Sequence, residues 1–267
     1  TCLLAPLVTK VMIYVMIRMV LSVFGVEFSF ESTMWVDVMP WLVVVAILCA
    51  AVMALAQREI KRMLAYLIVA EVGYMVGGIW IYNYYGFIGS IFHVISDACM
   101  TLCLFLGAGL ILRKAKTTKF DGLRGLFGKM PLTMTGFFIG GFSIIGLPPT
   151  CGFFSKWYLI TGGMVSQRWE YMVVLMFSTM VMVVLFFRLI ERIHLAVTES
   201  GENLGHGHGD LGLTAEQTRF DEGPLSMLIP LLVSATIVIV VGIYNQDVVS
   251  LIEIFLSDYN LPRGTGH

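Results

Sequence analysis

Seven stretches of this sequence are apolar enough and long enough to cross a lipid bilayer: residues 1–24, 38–56, 62–82, 87–112, 131–163, 170–190 and 224–245. A helix needs about 20 mostly apolar residues to span the hydrocarbon core. In lipid, each backbone N–H and C=O must find its partner inside the protein, which leaves helices or closed barrels. The run lengths therefore predict an all-α fold, a polytopic transmembrane helical bundle of about seven helices. Composition agrees, with 58% hydrophobic and 13% charged residues against about 25% charged in an ordinary soluble domain. Lys+Arg 17 against Asp+Glu 18 excludes a chain built to hold nucleic acid.

Charge in the connections alternates. Gln57-Arg58-Glu59-Ile60-Lys61-Arg62 is basic, as are Arg113, Lys114, Lys116, Lys119, Arg124 and Lys129, and then Arg188 and Arg192. The intervening connections carry Glu27, Glu31 and Asp37, or no charge at 83–86, or Arg168 against Glu170. All basic connections thus fall on one side, which the positive-inside rule makes cytoplasmic. The N-terminus is then inside and the C-terminus outside, as an odd number of spans requires. Residues 197–223 read as a cytoplasmic loop. Its tract Gly205-His206-Gly207-His208-Gly209 is a solvated loop or a weak metal binder. Residues 247–258 alternate acids with Val248, Leu251, Ile252 and Phe255, an amphipathic extension. The five cysteines lie in apolar runs and read as small hydrophobes; Cys99 and Cys103 are four apart and can face each other. Thr1 begins in mid-hydrophobic stretch, so the chain is expected to be cut from something longer.

Five ionisable residues stand well inside the apolar runs: Lys10, Glu71, His93, Asp97 and Lys156. Charge in hydrocarbon costs a few kcal/mol, so each is a functional candidate. Lys10, Tyr14 and Arg18 recur at four-residue spacing on one helix face, with Lys10 expected to face the interior. His93 and Asp97 are also four apart, with Thr101 a turn on; they either share a proton or tie two helices together. Glu71 is either held neutral by burial or paired with a lysine of another span. Lys156 follows Gly146-Leu147-Pro148-Pro149-Thr150-Cys151-Gly152-Phe153-Phe154-Ser155. Two prolines and two glycines there predict a broken helix, with Gly146, Pro148, Pro149 and Gly152 making the break. Ser155 and Lys156 are adjacent and do not face each other, so they do not form a nucleophile pair. Haem with two axial histidines would need a second intramembrane His, which the spans lack.

Four stretches carry a family resemblance. Leu7-Val8-Thr9-Lys10-Val11-Met12-Ile13-Tyr14 is the first. Gln57-Arg58-Glu59-Ile60-Lys61-Arg62-Met63-Leu64-Ala65-Tyr66 through Gly73-Tyr74 is similar to "QxDxKRxLAYSSxSQxGY". His93 through Gly109 is similar to "HxxxHxxxKxxLFLxAG", and Gly146 through Lys156 to "GxPxxxGFxSK". Together they resemble the antiporter-like subunits of respiratory complex I, Mrp-type Na⁺/H⁺ antiporters and membrane-bound hydrogenases. That resemblance implies a fold of two inverted five-helix repeats within about fourteen helices. It makes residues 1–24 the family's eighth helix, 38–190 the second repeat, and 224–258 the last transmembrane helix with its extension. Lys10 would be the eighth-helix lysine, His93 the relay histidine and Lys156 the lysine of the broken helix. Departures stand at Asp97, where a second His is usual, at Thr101, where Lys is usual, and at Glu71, where Gln or His is usual. Glu71 or Asp97 is expected to compensate by pairing with Lys10 or Lys156.

The expected function is translocation of protons or Na⁺ through Lys10, Glu71, His93, Asp97 and Lys156. The chain would act as a membrane subunit of a complex I-like, Mrp-like or hydrogenase-like complex. The implied partners are other membrane subunits and the lipid bilayer of a bacterial or archaeal plasma membrane. No cofactor is implied, and any oxidoreductase activity would belong to the complex. The alternative is a structural scaffold whose buried charges are static pairs.

Overall fold

The computed structural model describes residues 4–31, 35–116, 118, 120, 130–202, 222, 224–259 and 261–262. Among them are ten α-helices: α1 Leu4–Arg18, α2 Val26–Glu31, α3 Trp35–Ala56, α4 Ile60–Trp80, α5 Tyr84–Ala115, α6 Pro131–Ile145, α7 Cys151–Val165, α8 Trp169–Glu202, α9 Leu225–Ile243 and α10 Asn245–Leu256. Five of them (α3, α4, α5, α8 and α9) are long and apolar enough to cross a membrane. The other two expected spans are compound. α1 continues through a π-helical turn, Met19–Val23, and residues 131–163 divide into α6 and α7. The His206 and His208 tract lies outside the described residues. Residues 197–202, assigned above to the loop, continue α8.

α5 is the central helix. It touches α1, α4, α6, α7, α9 and α10 and separates two apolar clusters. One joins α3, α4, α6, α8 and α9 through residues such as Ile47, Met63, Leu104, Phe137, Phe186 and Leu231. The other packs Ile13, Ile17, Val20 and Phe30 against Phe87, Ile88 and the α10 residues Val249 and Ile252. This settles the face of α1. Lys10, Ile13, Ile17 and Val20 are buried while Tyr14 is 56% exposed, and Arg18 is exposed too. The expected Lys10–Tyr14–Arg18 face therefore does not hold as one surface. At 100° per residue, each four-residue step drifts about 40°, and by Arg18 the stripe has turned out of the contact.

Hydrogen bonds between connections fix which ends lie together. Ile60 N donates to Thr118 O (3.1 Å) and Phe120 N to Arg58 O (3.3 Å), joining the α3–α4 connection to the segment after α5. At the same end Glu222 accepts from Leu132 N (2.8 Å) and from Thr133 Oγ1 (2.7 Å). The opposite end gathers Asn83 with Ser166 (2.7 Å), Arg168 with Asp37 (2.9 Å), and Tyr84 N with Pro262 O (3.0 Å). The sides read from loop charge are thus the sides the helices build. Glu222 supplies the first turn of α6 with the acceptor it lacks, at the positive end of the helix dipole. Glu222→Ala is expected to lower stability by about 1 kcal/mol, read as a lower thermal midpoint in detergent, while Glu222→Asp keeps part of it.

Near the end that holds Asn83 and Ser166, the backbones of α4, α5 and α7 approach closely. A methyl group at Gly89 would stand 2.7 Å from Leu159 N, and one at Gly162 2.7 Å from Gly86 N. Small residues permit such approach between membrane helices.

Candidate functional site

The break between α6 and α7 is built as the sequence dictates. Gly146 takes φ +89°, a conformation that glycine adopts without strain. It closes α6 with Gly146 N and Leu147 N both donating to Phe142 O at 3.0 Å. Pro148 and Pro149 follow, and Thr150 Oγ1 donates to Leu147 O (2.6 Å) before α7 begins. Gly152 sits against the α6 backbone: a methyl there would lie 2.8 Å from the Ser143 carbonyl carbon. α7 therefore leaves the break close alongside α6, and its next turn carries Ser155 and Lys156 inward.

All five intramembrane candidates are buried. Glu71, His93 and Asp97 are inaccessible, and Lys10 and Lys156 keep 6% and 4% exposure. They form two groups at successive turns of α5. In the first, Lys10 Nζ lies 2.6 Å from Asp97 Oδ2 and 3.4 Å from Thr101 Oγ1. In the second, Glu71 Oε2 lies 2.7 Å from His93 Nε2, and Glu71 Oε1 lies 3.6 Å from Lys156 Nζ. His93 and Asp97, one turn apart on α5, link the groups. Asp97 thus compensates Lys10, and Glu71 compensates Lys156. Two lysines thus meet two carboxyl groups, with His93 beside one of them.

Several members of the site escaped the sequence reading. Ser155 lies 2.9 Å from His93 Nδ1, so both imidazole nitrogens are engaged. Ser155 and Lys156 diverge by about 100° around α7, yet each reaches the same pair, Lys156 through Glu71 and Ser155 through His93. Lys156 Nζ also donates to Ile144 O, in the last turn of α6, where a cation meets the negative end of the helix dipole. The Tyr74 ring lies 4.9 Å from Lys156 Nζ, and its hydroxyl donates to Ser178 Oγ at 2.6 Å. The sequence signal for Ile144 was the break itself, which frees carbonyls. For Ser155 and Tyr74 the signal was their place in two of the motifs, which does not name their partners; for Ser178 there was none, because these partners lie 62 to 104 residues away. Cys99 and Cys103 do not pair: Cys103 donates to Gly136 O (3.0 Å).

The family model described as NADH:quinone oxidoreductase/Mrp antiporter, TM, matches residues 1–182. NADH-quinone oxidoreductase subunit N of Desulforudis audaxviator is 36% identical over 259 residues, 97% of this chain and 50% of that protein. A chain of the membrane-bound sulfane sulfur reductase, an archaeal respiratory membrane complex, superposes with a TM-score of 0.78 at 24% identity, over 97% of this chain and 48% of the other. One of the Mrp complex from Dietzia sp. DQ12-45-1b superposes with a TM-score of 0.75 at 19% identity, over 91% and 50%. At these identities the two structures speak to fold alone. This chain spans about half the length of each relative.

Proposed function

This chain belongs to the NADH:quinone oxidoreductase/Mrp antiporter membrane family, and on that premise we propose that it translocates protons through the buried row Lys10, Asp97, His93, Glu71 and Lys156. The observation that carries this reading is His93, whose two nitrogens lie 2.9 Å from Ser155 and 2.7 Å from Glu71. An imidazole held this way can take a proton at one nitrogen and release one from the other. The proton then reaches a carboxylate already facing Lys156. Ser96 Oγ and Asp97 Oδ1 are buried with no hydrogen-bond partner among the described residues, and such oxygens give bridging water a polar surface along the row.

We further assign the chain to a larger membrane assembly of the kind its relatives' names describe, with the basic connections on the cytoplasmic side of a bacterial or archaeal plasma membrane. Residues 1–24 then correspond to the family's eighth helix, 38–190 to its second five-helix repeat, and 224–258 to the last transmembrane helix and its extension. Na⁺ in place of protons is a second reading, and imidazole and ammonium groups favour the proton. A static scaffold is the third, and the closed Lys10–Asp97 pair at 2.6 Å is what a scaffold would also contain.

Lys156→Ala in the assembled complex tests the proposal. In vesicles loaded with a pH-sensitive dye, proton uptake is expected to fall at least about a hundred-fold, with the subunit still present in the purified complex. Unchanged uptake would select the scaffold. Na⁺ uptake lost while proton flux persists would select Na⁺.

A further inference from the structure

We propose that a cavity at the basic end of α3 and α8 binds the headgroup of an anionic phospholipid, with Arg58 and Arg188 holding its phosphodiester. The cavity has a volume of about 440 Å³ and is lined by both arginines together with Gln57, Phe120, Leu185 and Leu189, among others. Its wall is fixed by backbone hydrogen bonds. Gln57 N donates to Ala54 O (3.2 Å), and the Arg58 carbonyl accepts from Phe120 N (3.3 Å).

Two observations select the ligand class. The first is charge. Two arginines line one space with no carboxylate among its described lining residues, and the neighbouring Glu59 is engaged by Arg62 at 3.2 Å. Guanidinium forks match phosphate oxygens, and two of them around one cavity suit a monoanionic diester. The second is depth. Arg188 lies 19 residues beyond Trp169, the first residue of α8, a rise of about 28 Å. That is close to the roughly 30 Å thickness of the hydrocarbon core. Arg58 stands two residues beyond the end of α3 at Ala56. Both therefore sit at headgroup level, while Leu185, three residues before Arg188, lines the deeper part of the cavity. A zwitterionic lipid would bring a choline cation to the same two arginines, which disfavours it.

The test uses the full-length protein in its complex, purified into nanodiscs of equimolar dioleoylphosphatidylglycerol and dioleoylphosphatidylcholine. Retained lipid is read by native mass spectrometry after partial delipidation. Wild type is expected to retain phosphatidylglycerol over phosphatidylcholine. Arg58→Gln with Arg188→Gln is expected to weaken that preference about thirty-fold, two cationic contacts each contributing about five-fold. Both arginines are exposed, so helicity by circular dichroism should not change. Lys61→Gln, exposed in the first turn of α4 and outside the cavity lining, should leave the preference intact. Equal retention of the two lipids by wild type overturns the proposal. So does an equal loss in Lys61→Gln, which would mean diffuse surface charge. Displacement of the lipid by low-millimolar inorganic phosphate also overturns it, since the ligand would then be free phosphate.

Discussion

A protein carrying Glu71→Gln is expected to lose proton flux and to unfold about 3 kcal/mol more easily. The amide keeps the shape of the carboxylate and removes its charge. Lys156, 4% exposed, is left with the Ile144 carbonyl and the Tyr74 ring face but no anion, and His93 loses its acceptor carboxylate. Removing one partner of a buried pair is far more damaging than replacing both, because the remaining charge stays desolvated without compensation. Glu71→Leu combined with Lys156→Met should therefore recover most of the stability and none of the flux. Unfolding in graded denaturing detergent, beside dye-reported uptake in vesicles, separates the two outcomes. A Glu71→Gln protein that is both stable and conducting would remove Glu71 from the row.

The Lys10–Asp97 pair is expected to give the second large effect, in a different pattern. Lys10→Met leaves Asp97 buried opposite an apolar side chain, and Asp97→Leu leaves Lys10 with only Thr101 at 3.4 Å. Each single change should destabilise by about 3 kcal/mol, and the double change by much less. The coupling energy from the cycle then measures the pair itself. Flux decides its role. If Lys10 holds or passes a proton, the stable double variant does not conduct. If the pair only ties α1 to α5, the double variant conducts at close to the wild-type rate, and the row begins at His93.

How far the sequence reached depends on the range of the interaction. Run length and the bilayer's thickness gave the spans, and Gly146, Pro148 and Pro149 gave the break, because both are local properties. The five buried ionisable residues were legible for the same reason, since charge inside an apolar run stands out without any knowledge of packing. The family read from four motifs is the one whose model matches residues 1–182. Which lysine meets which carboxylate was not legible: Lys10 and Asp97 are 87 residues apart, Glu71 and Lys156 are 85 apart, and packing around α5 decides. Four-residue spacing misled at Tyr14 and Arg18, where accumulated drift outran the width of the helix contact. Ser155 was judged against Lys156, its neighbour in sequence, when its partner was His93 on another helix.

The glycine contacts among α4, α5 and α7 bear on where a leak could run. Gly78, Gly89 and Gly162 each lie one to two turns beyond Glu71, His93 and Lys156, toward the end that holds Asn83. A single water needs a space of about one probe sphere, and a methyl group at Gly89 or Gly162 would already stand 2.7 Å from a backbone nitrogen of the facing helix. If the row conducts as proposed, this close backbone packing below it would hinder water, and protons with it, from passing there. A proton at Lys156 would then leave more readily by the interrupted turn at Gly146–Thr150, or by the cavity that Lys156 lines with Leu175, Met176 and Thr179. For a row that relays protons, such a restriction would separate a guided path from a leak.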